Sequence, residues 1–426
     1  MKKRKLIILS LDAMIKEDIE YLKDKPLVKK MLNEGVWIET LRTIFPANTY
    51  PCHSSMITGA YPYKTGVDTN YYSGTTTWRA ERENIKIKTL VDYAKEAGYT
   101  TANVFWPVLG GDKNIDYNIP EYFRCEKDLL PVLQKYGTSD KVVEEIIKPN
   151  FHITQGNGTT YYKTTDAFIF ACAKDMILKY QPDLLLIHPC PLDTQRHKDG
   201  VFSDDVTEML EWSYKQIEEL YDAVKQIGEE DNTDFVWMSD HGQFTLEYWY
   251  RFLIDLREEG LIKTDEKGNL IDENIELFTE NPSVLMKVKD KVQLEKIYAS
   301  LKEKEKANTG IKVFNREEFN RLFHINKDYD LLIDSDGVIG VGREAYPDEA
   351  GNKYSTVKPG VVLKHGTHGF SPDIGYQPTL IAIGPDFKAG VKLDRRETVC
   401  VPVTLAKCIG VTLEDADGTV IEEILK

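Results

Sequence analysis

The sequence predicts an α/β protein with a doubly wound, mostly parallel central sheet flanked by helices and with an inserted α+β cap. Two observations predict this class. Short runs such as Leu6–Leu9 and Phe235–Met238 are apolar throughout, as strands buried on both faces of a parallel sheet are. These runs alternate with helical patterns at 164–180 and 203–228, and strand–helix alternation produces parallel strands joined by crossovers.

Strand and helix patterns alternate over the first part of the chain. The predicted elements are a strand at 5–11, a polar helix to Glu34 with Gly35 as its stop, a strand at 36–38, a helix after Thr49, a helix at 86–97, a strand at 99–105, loops and short helices at 107–163, a helix at 164–180, a strand at 183–188, a loop at 189–197, a helix at 203–228 and a strand at 235–238. The core resumes with a strand at 379–383 and helices from about 402.

The segment between these parts is more charged and has its own pattern. Strands are predicted at 283–288, 311–314, 329–333 and 337–342, with a helix at 290–305. We therefore expect a catalytic core of residues 1–243 and 351–426, interrupted by a cap subdomain at 244–350.

Composition narrows the classes of function. The 426 residues carry a net charge of −15, which argues against a nucleic-acid polymer as partner because such partners select basic faces. No uninterrupted apolar stretch approaches the ~20 residues of a membrane span, and the apolar run at 6–9 is too short for a signal peptide. The six scattered cysteines form no CxxC pair, so we expect reduced thiols, a cytoplasmic protein and no membrane partner.

One hydroxyl stands at an expected anion site. Pro51 suits the first turn of a helix, which places Thr49 at or just before the N-cap. The free N–H groups and the positive dipole end of that helix favour an anion. A hydroxyl beside a bound anion suits nucleophilic attack on phosphorus, although a plain helix cap is the alternative explanation.

Six further side chains join Thr49 at one edge of the predicted sheet. Each lies at or past the carboxyl end of a predicted strand, or in a loop at that edge: Asp12, Asp193, His197, Asp240, His241 and His368. Taken singly, each is explained by a solvated turn. Together, carboxylates and imidazoles at the ligand-binding edge of an α/β sheet predict two divalent ions, Zn²⁺ first, with Mn²⁺ or Fe as alternatives.

The spacing of two ligand pairs adds detail to this prediction. Asp193 and His197 are four residues apart, so that both can reach one ion from a single turn. Asp240 and His241 are adjacent and point opposite ways on an extended strand, so a bend must bring them together.

In this order, these motifs resemble the alkaline phosphatase superfamily and, within it, the nucleotide pyrophosphatase/phosphodiesterase family. The matching segments are Asp12, Thr49-Tyr50-Pro51, Thr58-Gly59-Ala60-Tyr61-Pro62, Asn70, Phe105-Trp106-Pro107, Asp193 with His197, Asp240-His241-Gly242 and His368-Gly369-Phe370. The resemblance covers residues 5–242 and 361–385 well and the cap less.

The resemblance implies a role for each of these residues. Asp193, His197 and His368 would hold one ion. Asp12, Asp240 and His241 would hold the other, together with Thr49. Thr49 would attack phosphorus and form a phospho-threonine.

The resemblance also implies that Asn70 binds a phosphate oxygen, and the neighbouring residues offer further substrate contacts. Asn70 and the amide of Tyr50 would steady a phosphate oxygen. Tyr71 and Trp106, with Tyr72 and Trp78 beside them, would stack a base or else form part of the core.

The leading hypothesis is a hydrolase of phosphodiester or pyrophosphate bonds in small anionic, nucleotide-like substrates. A diester monoanion needs less positive charge than a monoester dianion, and only Arg42 lies near Thr49 in sequence. The alternatives are a phosphonoacetate-type phosphonate hydrolase, a phosphomonoesterase and a non-catalytic, metal-stabilised binding protein.

Cys52 departs from the family pattern, which often has Asn after the aromatic-Pro pair. A sulfatase would place its cysteine where Thr49 stands and would follow it with Arg, so that function is disfavoured.

Overall fold

The structure is a computed structural model that describes most of the chain. The described residues are 3–72, 75, 77–121, 129–154, 163–266, 269–280, 282–342, 354–356 and 365–426. Their strands are β1 (Lys5–Ser10), β2 (Val36–Arg42), β3 (Thr101–Val104), β4 (Tyr117–Ile119), β5 (Leu184–Ile187), β6 (Thr233–Met238), β7 (Phe244–Leu246), β8 (Tyr248–Arg251), β9 (Ile275–Glu280), β10 (Ser283–Val288), β11 (Ile311–Asn315), β12 (Leu331–Ser335), β13 (Ile339–Gly342), β14 (Tyr354–Thr356), β15 (His365–Thr367), β16 (Leu380–Ile383) and β17 (Val391–Glu397).

Helices connect these strands. The α-helices are Lys16–Leu22, Pro26–Glu34, Thr49–Thr58, Pro62–Thr65, Leu90–Glu96, Leu129–Lys135, Asp140–Val142, Lys148–Asn150, Lys163–Asp175, Pro191–Asp199, Asp204–Gln226, Phe252–Glu258, Lys291–Lys306, Arg316–Phe323 and Cys400–Cys408. Single π-helical turns at Val143–Ile147 and Met176–Tyr180 extend two of the helical segments.

Eight strands form the central sheet, in the order β17-β2-β16-β6-β1-β5-β3-β4. Every neighbouring pair is parallel except those of β16, which runs antiparallel to both β2 and β6. Leu9 pairs with Ile187 on one side and with Trp237 on the other, so β1, β5 and β6 end at the same edge. The predicted α/β class with a mostly parallel sheet is confirmed.

Alternate residues of β1 face two different cores. Ile7 and Leu9 belong to one buried apolar cluster, whereas Leu6 and Ile8 belong to the other. A sheet covered on both faces has this arrangement, and it explains why the run is apolar throughout.

The segment after β5 is a helix, whereas the sequence analysis predicts a loop at 189–197. Pro191 occupies the first turn of the Pro191–Asp199 helix, acidic Asp193 lies in that turn, and basic residues including His197 lie in the last. These are favourable positions for proline and for each charge. The low apolar content hides the helix, because one of its few fully buried side chains is the charged Arg196 and no apolar stripe is present.

Both edge strands of the central sheet are absent from the sequence prediction. β4 is three residues long and lies within 107–163, which is predicted as loops and short helices. β17 alternates apolar and charged residues and is mostly solvent-accessible. Edge strands need no continuous apolar run, so their signal is weak.

The inserted segment forms separate sheets. One has the order β11-β12-β10-β9 and another the order β13-β8-β14. β14 pairs with β8, so residues 354–356 lie against the inserted segment. The cap boundaries stay a prediction.

The insertion lies beside the loop that leads to Thr49. Phe45 packs in an apolar cluster with residues of the insertion, and its ring centroid is 6.3 Å from that of Phe323. Tyr61 stacks on His324 with centroids 4.2 Å apart. The insertion is therefore positioned to form part of the wall around that loop.

The described cysteines are free: Cys52, Cys172, Cys190, Cys400 and Cys408; Cys125 lies outside the described residues. No described helix has both the length and the apolar composition needed to cross a bilayer.

Candidate metal centre and active site

Thr49 is the first residue of its helix. The N-cap is Asn48, so the prediction that Thr49 lies at or before the N-cap is off by one position. Thr49 is 9% exposed, and its Oγ1 lies 3.3 Å from Nε2 of His241. The helix start thus holds a hydroxyl against one of the predicted metal ligands.

Asp193, His197 and His368 form one cluster of donors. Oδ1 of Asp193 lies 3.3 Å from Nε2 of His197 and 3.6 Å from Nε2 of His368. His197 donates its Nδ1 proton to the carbonyl of Gly366 over 2.8 Å, and His368 donates its Nδ1 proton to the carbonyl of Ala47 over 3.0 Å. Both imidazoles therefore present Nε2 toward the same carboxylate, as histidine ligands of a metal do.

Asp12, Asp240 and His241 form the adjacent cluster. Nε2 of His241 lies 3.5 Å from Oδ1 of Asp12 and 3.3 Å from Oδ2 of Asp240. Asp240 stands in a bend after β6, as its pairing with the adjacent His241 requires. Donor atoms of Asp12, Asp193 and His241 lie within 4.8 Å of one another, so the two clusters adjoin.

Burial and the close approach of like charges shift several pKa values in these clusters. Burial, then the nearby Asp240 and Asp193 carboxylates, raise the pKa of Asp12 well above its ordinary value. Burial lowers the pKa of His241 to about 4 and, with the neighbouring His241, that of His368 to about 3. Neutral imidazole is the form that binds a metal.

Two buried carboxylate oxygens support the same conclusion. Oδ1 of Asp12 and Oδ2 of Asp240 accept no hydrogen bond from the described part of the chain. Neutral Nε2 atoms facing carboxylate oxygens put lone pairs opposite lone pairs, an arrangement that a divalent cation between them relieves. The donor set therefore fits Zn²⁺ and related ions.

Asp193 and His197 also interact as an ion pair. Although burial opposes ionisation, His197 lowers the pKa of Asp193, and Asp193 in turn raises the pKa of His197. Gln243 donates from Nε2 to Oδ1 of Asp193 over 2.6 Å. That hydrogen bond fixes the orientation of the carboxylate.

Several polar residues at the site are missing from the sequence analysis: His53, Glu121, His188 and Gln243. His188 directly follows β5 and donates from Nδ1 to the carbonyl of Ser10 over 3.2 Å. Its buried Nε2 has no hydrogen-bond partner among the described residues and lies 3.5 Å from Oδ2 of Asp12. The rule that selects Asp12, namely position after a strand, also selects His188.

The pairing of Asn70 with Tyr50 corrects one sequence expectation. The N–H of Tyr50 donates to Oδ1 of Asn70 over 2.9 Å. This N–H is therefore already paired, whereas the sequence analysis assigns it to a phosphate oxygen. Because the atom facing an N–H must be the carbonyl oxygen of the side chain, Nδ2 of Asn70 remains the donor group.

The predicted aromatic residues have different environments. Trp106 is fully buried; its Nε1 donates to the carbonyl of His53 over 3.4 Å. Its ring therefore offers no face to a ligand, and the prediction of a substrate-binding Trp106 is wrong. Tyr71 is half-buried and packs on Trp78 with centroids 4.7 Å apart, and Tyr50 packs on the same indole at 5.0 Å.

The residue after His241 is Gly242, and a side chain there is excluded by close packing. A Cβ at Gly242 would lie 1.7 Å from the carbonyl oxygen of Tyr376. Only glycine lets the chain turn there with the backbones this close. The Asp-His-Gly motif is thus held against the segment before β16.

Comparisons with known proteins identify the family. Residues 6–371 match the family model described as type I phosphodiesterase / nucleotide pyrophosphatase. Ectonucleotide pyrophosphatase/phosphodiesterase family member 7 of Mus musculus is 25% identical over 435 residues, covering 98% of this chain and 86% of the relative. A bis(5'-adenosyl)-triphosphatase of Bos taurus is 23% identical over 428 residues, covering 97% of this chain and 80% of the relative.

A solved structure has the same fold. Murine ectonucleotide pyrophosphatase/phosphodiesterase 5, an inactive variant in complex with AMP, superimposes with a TM-score of 0.68 and 16% identity, covering 100% of each chain. The family resemblance inferred from the motifs is confirmed. Since the family model spans most of the sequence, the chain belongs to the type I phosphodiesterase / nucleotide pyrophosphatase family.

Proposed function

We propose that this protein hydrolyses phosphodiester or pyrophosphate bonds of small nucleotide-like substrates, through transient transfer of the phosphoryl group to Thr49. The observation that carries the proposal is the position of the Thr49 hydroxyl. It stands at the start of a ten-residue helix, 3.3 Å from His241 and beside clustered carboxylates and imidazoles. A plain helix cap would need no such neighbours.

The two adjoining clusters supply donors for two divalent ions. Asp193, His197 and His368 would hold one, and Asp12, Asp240 and His241 the other. When bound, such ions lower the pKa of an adjacent hydroxyl and neutralise charge on a phosphate.

The protein supplies the nucleophile and its orientation. The Thr49 hydroxyl gives up its proton to solvent, and its oxygen bonds to phosphorus as the bond from phosphorus to the leaving group breaks. Water then bonds to phosphorus as the bond from phosphorus to Thr49 breaks, which releases the product and restores the Thr49 hydroxyl. The helix N-terminus favours the anionic substrate. Nδ2 of Asn70, whose side chain is oriented by its bond from the Tyr50 amide, donates to a phosphate oxygen as charge develops.

A nucleotide is the substrate class with most support. The murine structural relative is a complex with AMP, and the Bos taurus relative is a bis(5'-adenosyl)-triphosphatase. In this chain, half-buried Tyr71 and Trp78 pack on each other, and Tyr50, the residue after Thr49, packs on the same indole. Tyr71 and Trp78 provide aromatic surface for a base.

The charge near Thr49 favours a diester over a monoester. Arg42 donates from Nε and one terminal nitrogen to both carboxylate oxygens of Asp373, over 2.9 and 2.8 Å. Arg79 lies 2.8 Å from Oδ1 of Asp68. These guanidinium groups are therefore already engaged and add little charge for a phosphate dianion.

The test compares hydrolysis of a nucleotide phosphodiester, a phosphomonoester and phosphonoacetate by the full chain with Zn²⁺. We expect the diester to have the highest kcat/KM. Thr49→Ala should lower kcat on it at least a thousandfold, whereas Zn²⁺ content per chain should change little. Rapid quenching should trap, on Thr49 of the wild type, the phosphoryl group together with the ester group that it retains.

A matched control lies on the same helix. Thr58 bonds from Oγ1 to the carbonyl of Ser54 over 2.7 Å, about 14 Å along the helix from Thr49. Thr58→Ala should keep kcat within a few-fold. Full activity of Thr49→Ala would overturn the proposal, and faster turnover of the monoester or of phosphonoacetate would replace it with that alternative.

A further inference from the structure

A second group of metal-ligating side chains lies at the opposite edge of the central sheet. Asp234 is the second residue of β6, whereas Asp240 lies two residues beyond the last residue of that strand. Six residues of extended chain separate them by about 20 Å. Asp386 follows β16, which is antiparallel to β6, so it lies at the same edge as Asp234.

Three donors converge at this edge. One ligand atom each of Asp234, Asp386 and Cys408 lies within 4.8 Å of the others. The backbone N–H of Asp386 donates to Oδ1 of Asp234 over 3.2 Å. A Cβ at Gly384 would lie 2.2 Å from that same Oδ1, so this glycine lets the Asp386 segment pack directly on Asp234.

The remaining carboxylate oxygens lack donors. Asp234 is fully buried, and its Oδ2 has no hydrogen-bond partner among the described residues; the same holds for Oδ2 of Asp386. A buried carboxylate oxygen without a donor is costly unless a proton or a cation is shared there. The buried Oδ2 of Asp234 therefore points to a bound ligand. This evidence does not depend on the convergence of the three groups.

The local charge also favours a cation. Arg4 lies 3.2 Å from Oδ1 of Asp386 and balances one of the two carboxylates. Cys408 is the last residue of the Cys400–Cys408 helix, whose carboxyl end carries partial negative charge. Arg4 thus leaves the charge of the other carboxylate and the partial charge of the helix end unbalanced near the thiol.

We propose that Asp234, Asp386 and Cys408 bind a divalent metal ion at a structural site separate from the catalytic clusters. Carboxylate oxygens with one thiolate suit Zn²⁺, with water or a backbone oxygen completing four ligands. Binding would displace the thiol proton to solvent. The ion would tie the terminal helix to β6 and to the segment after β16.

The thiolate makes the site distinguishable by spectroscopy. The proposed catalytic donors are oxygen and nitrogen atoms, so they give no sulfur-to-metal charge-transfer absorption. The test is titration of the metal-free full chain with Co²⁺, a coloured substitute for Zn²⁺. We expect a near-ultraviolet thiolate–Co²⁺ band whose final intensity corresponds to one thiolate-bound ion per chain, while the catalytic donors take up Co²⁺ without adding to it.

Matched variants identify the cysteine that gives rise to the thiolate–Co²⁺ band. Cys400 lies on the same helix, outside the cluster. Cys400→Ser should retain the band, whereas Cys408→Ser should lose it and bind one Zn²⁺ fewer per chain. Asp386→Asn should weaken Co²⁺ binding at this site at least tenfold while the helical content is unchanged.

Two results would overturn the proposal. One is a wild-type chain without a thiolate–Co²⁺ band, which would mean that the two carboxylates merely share a proton. The other is a band that survives Cys408→Ser. Hydrolysis by Cys408→Ser with saturating Zn²⁺ should stay within a few-fold of wild type, so this test and that of Thr49 fail independently.

Discussion

His53 connects the nucleophile helix to the candidate metal cluster. Its Nδ1 donates to the carbonyl of Thr49 over 2.8 Å, and its Nε2 accepts from Oγ of Ser10 over 2.9 Å. Burial, then the neighbouring His188, lower the pKa of His53 well below its ordinary value, so the ring is neutral with its proton on Nδ1. That nitrogen also lies 3.5 Å from Oδ2 of Asp240.

We therefore expect His53 to be a positioning residue. His53→Ala should lower kcat by about ten- to a hundredfold, as loss of a supporting hydrogen bond at a metal site does, with a smaller change in KM. His53→Asn can still donate to the Thr49 carbonyl and should recover part of kcat.

The measurement is steady-state hydrolysis of the nucleotide diester, alongside urea unfolding of each variant. A purely structural role predicts that the two variants lose stability with unchanged kcat for the folded fraction. Equal kcat for wild type and His53→Ala would contradict the assignment.

At the scale of elements, the Pro191–Asp199 helix depends on one buried ion pair. Arg196 is fully buried and lies 2.7 Å from Oδ1 of Asp18. It also donates to the carbonyl of Ala13 and, over 3.2 Å, to that of Val201. The guanidinium thus fixes the helix that carries Asp193 and His197 against the segment after β1.

Removing this arginine should destabilise the fold strongly. Arg196→Met leaves Asp18 buried without its partner, which costs about 3–5 kcal/mol of unfolding free energy. The double variant Arg196→Met/Asp18→Asn removes the uncompensated charge and should recover most of that loss. Urea unfolding measures both, and equal stability of the two variants would show that the charge is not the cause.

At the scale of the whole molecule, the fold brings together residues that are far apart in the chain. Asp12 and His368 are separated by more than 350 positions, yet both adjoin Asp193 and His241. Three buried carboxylates, Asp12, Asp193 and Asp240, therefore stand together and repel one another without cations.

We expect metal removal to lower the stability of the entire chain. Each ion that binds only the folded state at a hundred times Kd adds about 2.7 kcal/mol, and such an increase corresponds to several degrees in Tm. Chelation should abolish hydrolysis and lower Tm by that amount, and Zn²⁺ should restore both. Calorimetry with and without chelator provides the measurement.

Two variants serve as controls for the chelation experiment. Thr49→Ala keeps the carboxylates and should show the same shift in Tm. Asp193→Asn removes the carboxylate shared by both clusters and should show a much smaller one. An unchanged wild-type Tm after complete metal removal would contradict a structural effect of the ions.

The sequence predicts the candidate ligands and the nucleophile better than the residues that orient them. All seven predicted metal-centre residues lie at the clusters described above, although their roles as ligands stay a prediction. Trp106 shows the limit, because nothing in the segment 105–107 distinguishes a buried indole from an exposed one.

By itself the sequence determined the fold class, the family and the edge where the site lies. Buried parallel strands are apolar on both faces, and residues that follow them must meet at one edge. Only the tertiary structure decided that 191–199 is a helix, that β17 joins the sheet and that His53 supports Thr49. Those features depend on pairing and burial between distant segments, such as Arg196 with Asp18 and β17 with β2, which local pattern does not encode.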